Sequence, residues 1–565
     1  MADNYFSKIR NVINNSGVSS VWNSDVQNEV GMLPSVVSSE DREGRLDLTS
    51  FPFVTIDGET AQDFDDAVCV EPHAEGWILY VAIADVSHYV KPGSALDIEA
   101  RRRENSIYFQ DFMLPMLHEQ LSTQICSLNP GEDRLCIVCR MFIDKCGIMK
   151  SYAFSPAVIR SHARLTYEEV HDMLTGKRDA VDRFHDVYPN VYRLYEMYEK
   201  MHESTVIRRP IDFTHSERVM TFNSNRTAVS DIHIKSHYES HGIIEECMIV
   251  ANIAAAKFIE DHVKPLIFRI EENPDSNKIS DFRKLIGSLS LELKGNYSPS
   301  VSDVAEFVRS LKGKSYEDCI QKLFLRQQKK AVYSVENRKH YLLNLNEYTH
   351  FTSPIRRYVD LVIHRIIKQC LEDDCRKSSA MVKPTSLENA KPVEFSVGKT
   401  FIDGLFRLFK GGSVSSENNC SNAHVGGISG LTSKIQFSGA KSYSTAELEA
   451  IVCESNKSEE NAILMAREVD KWINASFMAD KLNHVFQGTV IATKNFGLFV
   501  NIPEFDIDIF VYIGSLGTER FNFSESDYVI IGSLSCTRYY IGMNVSVRIT
   551  NVNVPEGKVQ GVIVK

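Results

Sequence analysis

Residues 54–68 read Val-Thr-Ile-Asp-Gly-Glu-Thr-Ala-Gln-Asp-Phe-Asp-Asp-Ala-Val, an apolar β-like run followed by a glycine turn and a group of aspartates. Four aspartates fall within ten residues, at Asp57, Asp63, Asp65 and Asp66. Like charges at this spacing repel and raise one another's pKa unless a cation lies between them. Oxygen ligands favour a hard cation, so the segment predicts a Mg²⁺ site, with Mn²⁺ as a substitute.

The alternative interpretation of this segment is an exposed acidic turn that binds no metal. Ile56, Phe64 and Val68 alternate with the acids and would anchor the loop to a core, which favours the metal site. The spacing is not that of an EF-hand calcium loop. A bound Mg²⁺ activates water and offsets charge on a phosphate, so the segment indicates phosphodiester chemistry.

A second motif lies at residues 348–360, Tyr-Thr-His-Phe-Thr-Ser-Pro-Ile-Arg-Arg-Tyr-Val-Asp. Ser353 is a favourable N-cap and Pro354 suits the first helical position, so the sequence predicts a helix over 354–371. The apolar side chains that would form its buried face are Ile355, Val359, Val362, Ile366 and Cys370.

Two cations, Arg356 and Arg357, would lie in the first turn of that helix, where the helix dipole disfavours them. A bound phosphate explains their position, because free backbone N–H groups and guanidinium forks together bind an anion. Asp360, one turn further on, could orient either arginine. The alternative is a surface Arg–Asp pair, but the nearby prediction of a metal site favours a phosphodiester site.

The composition is that of a soluble globular protein with more than one domain: 565 residues, 43% hydrophobic, 24% charged, net charge −11. No apolar run is long enough for a membrane span, and the start has no secretory signal. The twelve cysteines are therefore predicted to be reduced thiols in the cytoplasm. The Cys136/Cys139 pair lacks the second pair that a zinc site requires.

The charge is unevenly distributed along the chain. Between Gln321 and Cys370 ten Lys and Arg residues stand against three acids. One interpretation is a solvated helix face, and the other is a local basic channel for nucleic acid, which a net acidic chain still permits.

The order of elements predicts an α+β fold, with a large mixed catalytic domain followed by a small five-stranded OB-fold β-barrel. The predicted parts are an N-terminal arm or linker (1–46), the catalytic domain (47–375), a flexible Gly/Ser-rich insertion (376–440), the helical end of the catalytic domain (441–481) and the barrel (482–565). The five predicted barrel strands are Val485–Ile491, Phe499–Ile502, Ile507–Ile513, Val529–Leu534 and Val545–Val552.

The two motifs resemble the signature segments of the ribonuclease II/ribonuclease R (RNB) superfamily, closest to its ribonuclease R branch. Further stretches that resemble this branch are Val81-Ala-Ile-Ala-Asp-Val-Ser-His-Tyr89, Cys126-Ser-Leu-Asn-Pro130, Ser161-His-Ala-Arg-Leu-Thr-Tyr167, Ile244-Glu-Glu-Cys-Met248 and Arg467-Glu-Val-Asp-Lys-Trp472. The likeness is collinear and covers roughly residues 40–375 and 443–565. Members usually carry two cold-shock modules before the catalytic domain, for which the first 46 residues leave no room.

The resemblance implies roles for individual residues. Asp57, Asp63, Asp65 and Asp66 match catalytic and metal-binding aspartates, with Asp65 the most essential, and Arg356 matches the arginine that holds the scissile phosphate. The residues expected to bind RNA are Tyr108 and Phe213, which match an aromatic clamp on the terminal bases, Tyr167 and Glu245, which match the lining of the same pocket, Arg357 beside the phosphate, and Phe496, Phe499 and Tyr512 on the barrel.

The implied function is that of a processive, Mg²⁺-dependent 3′→5′ hydrolytic exoribonuclease that releases nucleoside 5′-monophosphates in RNA turnover and quality control. Its expected partner is single-stranded RNA with a free 3′ end. No membrane is expected as a partner, and the protein is expected to be a monomer. The alternative is a catalytically weak RNA-binding protein on the same fold.

Overall fold

The computed structural model of the chain describes residues 5–110, 112–208, 217–223, 229–235, 238–287, 289–314, 316–381, 437–525 and 528–564. Phe213 and residues 382–436 of the predicted insertion lie outside these ranges. Within them, no helix combines the length and the apolar character that crossing a bilayer requires.

The first part of the chain supplies nine strands and four helices. They are α1 (Tyr5–Ser16), α2 (Ser24–Val30), β1 (Leu46–Asp47), β2 (Val54–Asp57), β3 (Asp66–His73), β4 (Gly76–Ala84), α3 (Val86–Tyr89), α4 (Ala95–Arg103), β5 (Ile107–Phe109), β6 (Phe112–Leu114), β7 (Asp133–Asp144), β8 (Met149–Arg160) and β9 (Ala163–Thr166). A π-helical turn spans Gln120–Ile125.

Seven of these strands form the central sheet, in the order β1-β8-β7-β4-β3-β2-β9. Neighbours pair antiparallel, except that β1 pairs with β8 and β2 with β9 in parallel. β4 and β7 are buried along almost their whole length, as expected for strands that are covered on both faces. Cys136 and Cys139 lie on β7 as buried free thiols, and burial raises their pKa above the ordinary thiol value.

Residues 167–381 supply further helices and short strands. They are α5 (Tyr167–Leu174), α6 (Arg178–Arg183), α7 (Tyr188–Arg208), β10 (Glu217–Phe222), β11 (Val229–Lys235), α8 (Glu239–Asp261), β12 (Phe268–Ile270), α9 (Ser276–Gly287), α10 (Val301–Leu311), α11 (Glu317–Leu325), β13 (Val332–Ser334) and α12 (Tyr358–Met381). Of these, α5, α7, α8 and α12 share the core of the central sheet, whereas α9, α10 and α11 form a separate core. α8 is buried along most of its length because apolar and small residues such as Ala254–Ala256 cover most of its faces.

The helix predicted over 354–371 begins later than expected, at Tyr358, and residues 354–356 form a turn. The difference has a tertiary cause: the Tyr358 N–H donates to the carbonyl oxygen of Glu104 (2.8 Å) and the Ser353 N–H to the Asp360 carboxylate (2.8 Å). Arg356 and Arg357 therefore precede the helix. The predicted apolar face is buried at all five positions: Ile355, Val359, Val362, Ile366 and Cys370.

The last part of the described chain begins with a 35-residue helix, α13 (Thr445–Ala479), which a capping box of Ser444 and Glu447 starts and which has no break. The strands that follow are β14 (Val485–Lys494), β15 (Gly497–Ile502), β16 (Ile507–Tyr512), β17 (Phe521–Ser524), β18 (Val529–Gly532), β19 (Arg538–Tyr539), β20 (Asn544–Asn553) and β21 (Lys558–Val564).

The predicted five-stranded barrel is confirmed, but one of its strands was assigned wrongly. The closed barrel has the order β14-β15-β16-β21-β20, and β18 belongs to a separate three-stranded sheet with β17 and β19. β21 closes the barrel by pairing antiparallel with β20 and parallel with β16. It contains Gly561, at which a Cβ atom would lie 2.7 Å from a methyl group of Val547, so the close approach of these strands requires glycine.

The basic excess of residues 321–370 is largely used in ion pairs with acids that are distant in sequence. The pairs are Lys322–Asp506, Lys329–Glu272, Lys330–Glu460, Arg338–Glu272, Arg365–Asp97 and Lys368–Asp85. Neither a single solvated helix face nor a free basic channel accounts for these six cations.

Candidate active site

The aspartate loop joins two neighbouring strands of the central sheet: Asp57 ends β2 and Asp66 begins β3. Ser127 holds this loop from one side, since its hydroxyl donates to the carbonyl oxygen of Gln62 (2.8 Å) and accepts from the Phe64 N–H (3.0 Å). From the other side, the Ala84 N–H donates to the carbonyl oxygen of Asp65 (2.9 Å). The loop is therefore fixed to the core at its middle.

The two sequence motifs meet at Asp65, which is only 5% exposed. Its Oδ1 accepts a hydrogen bond from the N–H of Ile355 (2.8 Å), and its Oδ2 lies 3.6 Å from Nε of Arg356. The Arg356 side chain remains 44% exposed, and its Nη2 donates to the hydroxyl of Ser353 (3.0 Å). A buried carboxylate and a half-exposed guanidinium thus face each other at one edge of the sheet.

Three of the four aspartates have raised pKa values. Burial raises the pKa of Asp65 well above its ordinary range, although the Arg356 guanidinium opposes the shift. Burial and the charge of Asp57 raise the pKa of Asp66 to about 7, and burial with the charge of Asp63 raises that of Asp57. Burial is the largest cause of all three shifts and disfavours the charged carboxylates, so a divalent cation bound here would favour their ionised form.

The carboxylate oxygens of the aspartate loop are chemically suited to bind a divalent cation. In the described ranges, no group of three or more His, Cys, Asp or Glu side chains is arranged to hold a metal ion. Mg²⁺ commonly takes only one or two carboxylates and completes its shell with water and substrate phosphate oxygens. The oxygen donors of the aspartate loop fit Mg²⁺ on those terms, with water or substrate supplying the remaining ligands.

Tyr108 lies next to this cluster. It is carried by the β5–β6 hairpin, and the Ser106 N–H, two residues earlier, donates to the carbonyl oxygen of Arg356 (3.0 Å). The Tyr108 hydroxyl donates to Oδ2 of Asp63 (3.2 Å), and the residue is 46% exposed. Its expected partner in the clamp, Phe213, lies outside the described residues.

Tyr167 is placed beside the aspartate loop by strand pairing. Asp57 on β2 is the parallel partner of Thr166 on β9, and Tyr167 follows directly at the start of α5. The Tyr167 ring stacks on His241, with ring centres 3.8 Å apart. Glu245 is exposed on α8, four residues beyond His241, whereas its neighbour Glu246 is buried and accepts a hydrogen bond from the hydroxyl of Thr205 (3.1 Å).

Arg357 has a different environment from Arg356. Its Nε and Nη2 donate to the two carboxylate oxygens of Asp360 (2.9 and 2.7 Å). Asp360 could orient either arginine, and in the structure it is paired with Arg357. A contact of Arg357 with RNA stays a prediction.

Sequence reasoning missed two residues that support the site. Arg164 donates to the carbonyl oxygens of Gly58 and Glu59 (2.7 and 2.6 Å) and so fixes the start of the aspartate loop. Ser127 fixes its middle, as described above. Both lie in stretches that resemble the family, but nothing in their own residue type indicated this role.

On the barrel the rings of Phe496, Phe499 and Phe510 contact one another, and Tyr512 lies two residues after Phe510 on β16; these four residues are called the aromatic patch. Phe496 and Tyr512 are 50% and 59% exposed, and Phe499 is half-buried. Phe510, which the sequence did not single out, lies 5.8 Å from Phe496 and 5.4 Å from Phe499 between ring centres. A Cβ atom at Gly497 would lie 2.2 Å from the carbonyl oxygen of Val511, so glycine allows β15 and β16 to align these rings.

The profile of the RNB domain matches residues 45–373, which contain both motifs and the strands and helices that place them. The chain belongs to the RNB-domain family. RNB nucleases are in general metal-dependent hydrolases. Ribonuclease R of Escherichia coli is 36% identical to the chain over 540 residues, which cover 95% of the chain and 60% of that relative. The chain thus spans less than two thirds of that relative's length.

Solved structures of other proteins share this fold. Mycoplasma genitalium RNase R in complex with ribose-methylated single-stranded RNA is 26% identical, with a TM-score of 0.81 that covers 100% of this chain and 78% of that one. Yeast Ssd1, a pseudonuclease, is 18% identical, with a TM-score of 0.64 over 93% of this chain and 58% of that one. The predicted α+β class and family are therefore confirmed, and the fold alone does not imply catalysis.

Proposed function

We propose that this chain is a hydrolytic 3′→5′ exoribonuclease that processively degrades single-stranded RNA from a free 3′ end to nucleoside 5′-monophosphates, as part of RNA turnover and quality control. The observation that carries the proposal is the meeting of Asp65, the Ile355 N–H and Arg356. A pseudonuclease can keep the fold, but a buried carboxylate facing an exposed guanidinium, with further aspartates around it, is a site for phosphodiester hydrolysis.

In this proposal each residue has one task. Arg356 binds the scissile phosphate, because its guanidinium is half exposed and fixed on the Ser353 hydroxyl. Tyr108 stacks on a terminal base, and stacking accepts any base, as a degradative enzyme requires. Phe213 and Tyr167 are proposed to line the same pocket, with Glu245 at its edge.

The four aspartates are the proposed ligands for Mg²⁺, with Mn²⁺ as a substitute. When bound, such a cation activates water and offsets the charge of the phosphate. The chain itself contributes the fixed loop, the buried Asp65 and the N–H of Ile355 that keeps one Asp65 oxygen oriented. Removal of divalent cations by EDTA is expected to stop hydrolysis while RNA binding through Arg356 and the aromatic side chains persists.

The aromatic patch of the barrel is proposed to hold the incoming strand. The protein is proposed to act as a monomer in the cytoplasm, where the free thiols of the described residues would stay reduced.

The test is incubation of 5′-labelled poly(A) with the protein and Mg²⁺, followed by gel electrophoresis. We expect the full-length 5′-labelled RNA to be converted to a short limit product with few intermediates, as for a processive enzyme. RNA labelled at its 3′ end should release only labelled mononucleotide. The Asp65→Asn variant is the matched control, since it is nearly isosteric. RNA that is shifted on a native gel but never shortened would contradict the proposal and assign the chain to the catalytically weak RNA-binding class.

A further inference from the structure

Asp360 lies in the first turn of α12 and is completely buried. Its carboxylate accepts three hydrogen bonds, from Nε and Nη2 of Arg357 (2.9 and 2.7 Å) and from the N–H of Ser353 (2.8 Å). All three donors belong to the turn that precedes the helix. A buried carboxylate needs such partners, but stability alone does not require that they come from one turn.

The turn held by Asp360 is the one that supplies the active site. Ser353 and Arg357 flank Ile355 and Arg356, whose N–H and guanidinium face the two oxygens of Asp65. Ser353 also accepts a hydrogen bond from Arg356. Asp360 therefore fixes both ends of a five-residue segment whose middle contacts Asp65.

The turn needs this support because it is not helical. Within it the Arg357 N–H has an i→i−4 partner, the Ser353 carbonyl oxygen (3.0 Å), but the N–H groups of Ser353 and Ile355 donate to the carboxylates of Asp360 and Asp65 instead. On its other side the carbonyl oxygen of Arg356 accepts from the Ser106 N–H (3.0 Å). Loss of the Asp360 contacts would leave the turn held to its neighbours by the Ser106–Arg356 and Ile355–Asp65 bonds, without the side-chain support of its two ends.

We propose that Asp360, paired with Arg357, is a positioning residue for the proposed nuclease reaction: it holds the Ser353–Arg357 turn so that Arg356 and the Ile355 N–H stay aligned with Asp65. This inference rests on the proposed function for its effect on catalysis. The structural claim, that Asp360 keeps the Ser353–Arg357 turn ordered, does not depend on any activity of the protein.

The chain offers a matched control on the same helix. Glu372 is also buried, accepts from Arg376 (3.1 Å) and from the backbone N–H of Phe437 (2.7 Å), and lies on α12 away from the turn. Glu372→Gln therefore removes a buried carboxylate of the same kind without touching the Ser353–Arg357 turn.

The first measurement is amide hydrogen exchange on the full chain. In Asp360→Asn we expect the amide exchange rate of the peptide around residues 352–357 to increase about tenfold. In Glu372→Gln the exchange rate of the same peptide should not change. If Asp360→Asn folds poorly because Arg357 is left unpaired, the double variant Arg357→Gln/Asp360→Asn is measured in its place, since it buries two neutral amides and no unpaired charge. Unchanged exchange around Ile355 in the folded variant would overturn the proposal.

The second measurement is a double-mutant cycle with Arg356→Ala, using single-stranded RNA and Mg²⁺. Asp360→Asn should lower kcat about 10- to 100-fold with little change in KM, as for a misplaced catalytic group. In the Arg356→Ala background the same change should cost clearly less, because the part of its effect that acts through the Arg356 side chain has already been removed. An equal cost in both backgrounds would overturn the positioning role, whereas an inactive wild-type protein would overturn the proposed function and leave the exchange result to decide.

Discussion

The hydroxyl of Tyr108 donates a hydrogen bond to Oδ2 of Asp63 across 3.2 Å. This contact joins the residue expected to stack on a terminal base to the acidic loop expected to carry out hydrolysis. Because the Tyr108 hairpin is also bonded to the backbone of Arg356, base, phosphate and metal subsites would share one rigid frame.

We expect the two parts of the Tyr108 side chain to have separable effects. Tyr108→Ala should weaken binding of the RNA 3′ end by about 1–3 kcal/mol, the value of one base–aromatic stack. Tyr108→Phe keeps the ring and loses only the bond to Asp63, so KM should change little. Steady-state kinetics on a short oligonucleotide measure both, and equal losses in the two variants would contradict a stacking role.

Asp65→Asn should reduce hydrolysis by more than about 100-fold and leave RNA binding unchanged or tighter. The substitution keeps the shape and the Oδ1 acceptor for the Ile355 N–H, but it removes a negative charge that faces phosphates and metal. Single-turnover hydrolysis and a filter-binding assay on the same preparation separate the two effects. Full activity of this variant would exclude a catalytic role for the cluster.

The sequence was sufficient to predict the aspartate loop and the arginine motif, because both depend on residue type and short spacing. It did not predict that the helix starts at Tyr358 rather than Pro354. That start depends on a hydrogen bond to Glu104, more than 250 residues earlier in the chain, which no local propensity encodes.

The barrel shows a similar limit. The short β-branched run at the start of residues 529–534 predicted a barrel strand, and the structure has a strand there but pairs it with β17 and β19. Periodicity reports that a segment is a half-buried strand, and it does not report the sheet to which the strand belongs. The role of Asp360 was left open in the same way, since spacing allowed either arginine as its partner.

Arg356→Lys should impair hydrolysis severely although the charge is kept. A planar guanidinium can hold two phosphate oxygens while it stays bonded to Ser353, and an ammonium group cannot. Arg357→Lys should cost less, because that side chain is bonded to Asp360 in the structure. The comparison of kcat/KM for both variants tests this, and equal, mild losses would reduce the pair to a general electrostatic effect.

The raised pKa of Asp66 predicts a pH dependence of stability in the metal-free protein. Burial and the Asp57 charge raise this pKa from 3.8 to about 7 in the folded state. Between these values the folded protein binds more protons than the unfolded chain, so the free energy of unfolding should decrease as the pH rises through this window.

Thermal unfolding in EDTA checks this expectation. Asp66→Asn, which cannot ionise, should raise Tm more at pH 8 than at pH 5, and saturating Mg²⁺ should remove its advantage over the wild-type protein at pH 8. Asp303→Asn is the control of opposite sign, since hydrogen bonds from Ser300 lower the pKa of Asp303. An equal gain for Asp66→Asn at both pH values would contradict the assignment.

Between Lys481 and Lys565 the barrel carries seven basic residues (Lys and Arg) and seven acidic residues (Asp and Glu). Its affinity for RNA is therefore expected to come from the aromatic patch. Phe496→Ala and Tyr512→Ala should each weaken RNA binding by about 1–3 kcal/mol. Phosphate contacts release counterions and stacking does not, so the slope of log K against log salt concentration should stay that of the wild-type protein.

Tyr540→Ala, which removes a 41% exposed tyrosine outside the patch, should have no effect on affinity. Fluorescence anisotropy of labelled single-stranded RNA at several salt concentrations measures both quantities. A fall in affinity with a shallower slope would show that the barrel binds phosphates, and unchanged affinity would show that the patch does not contact RNA.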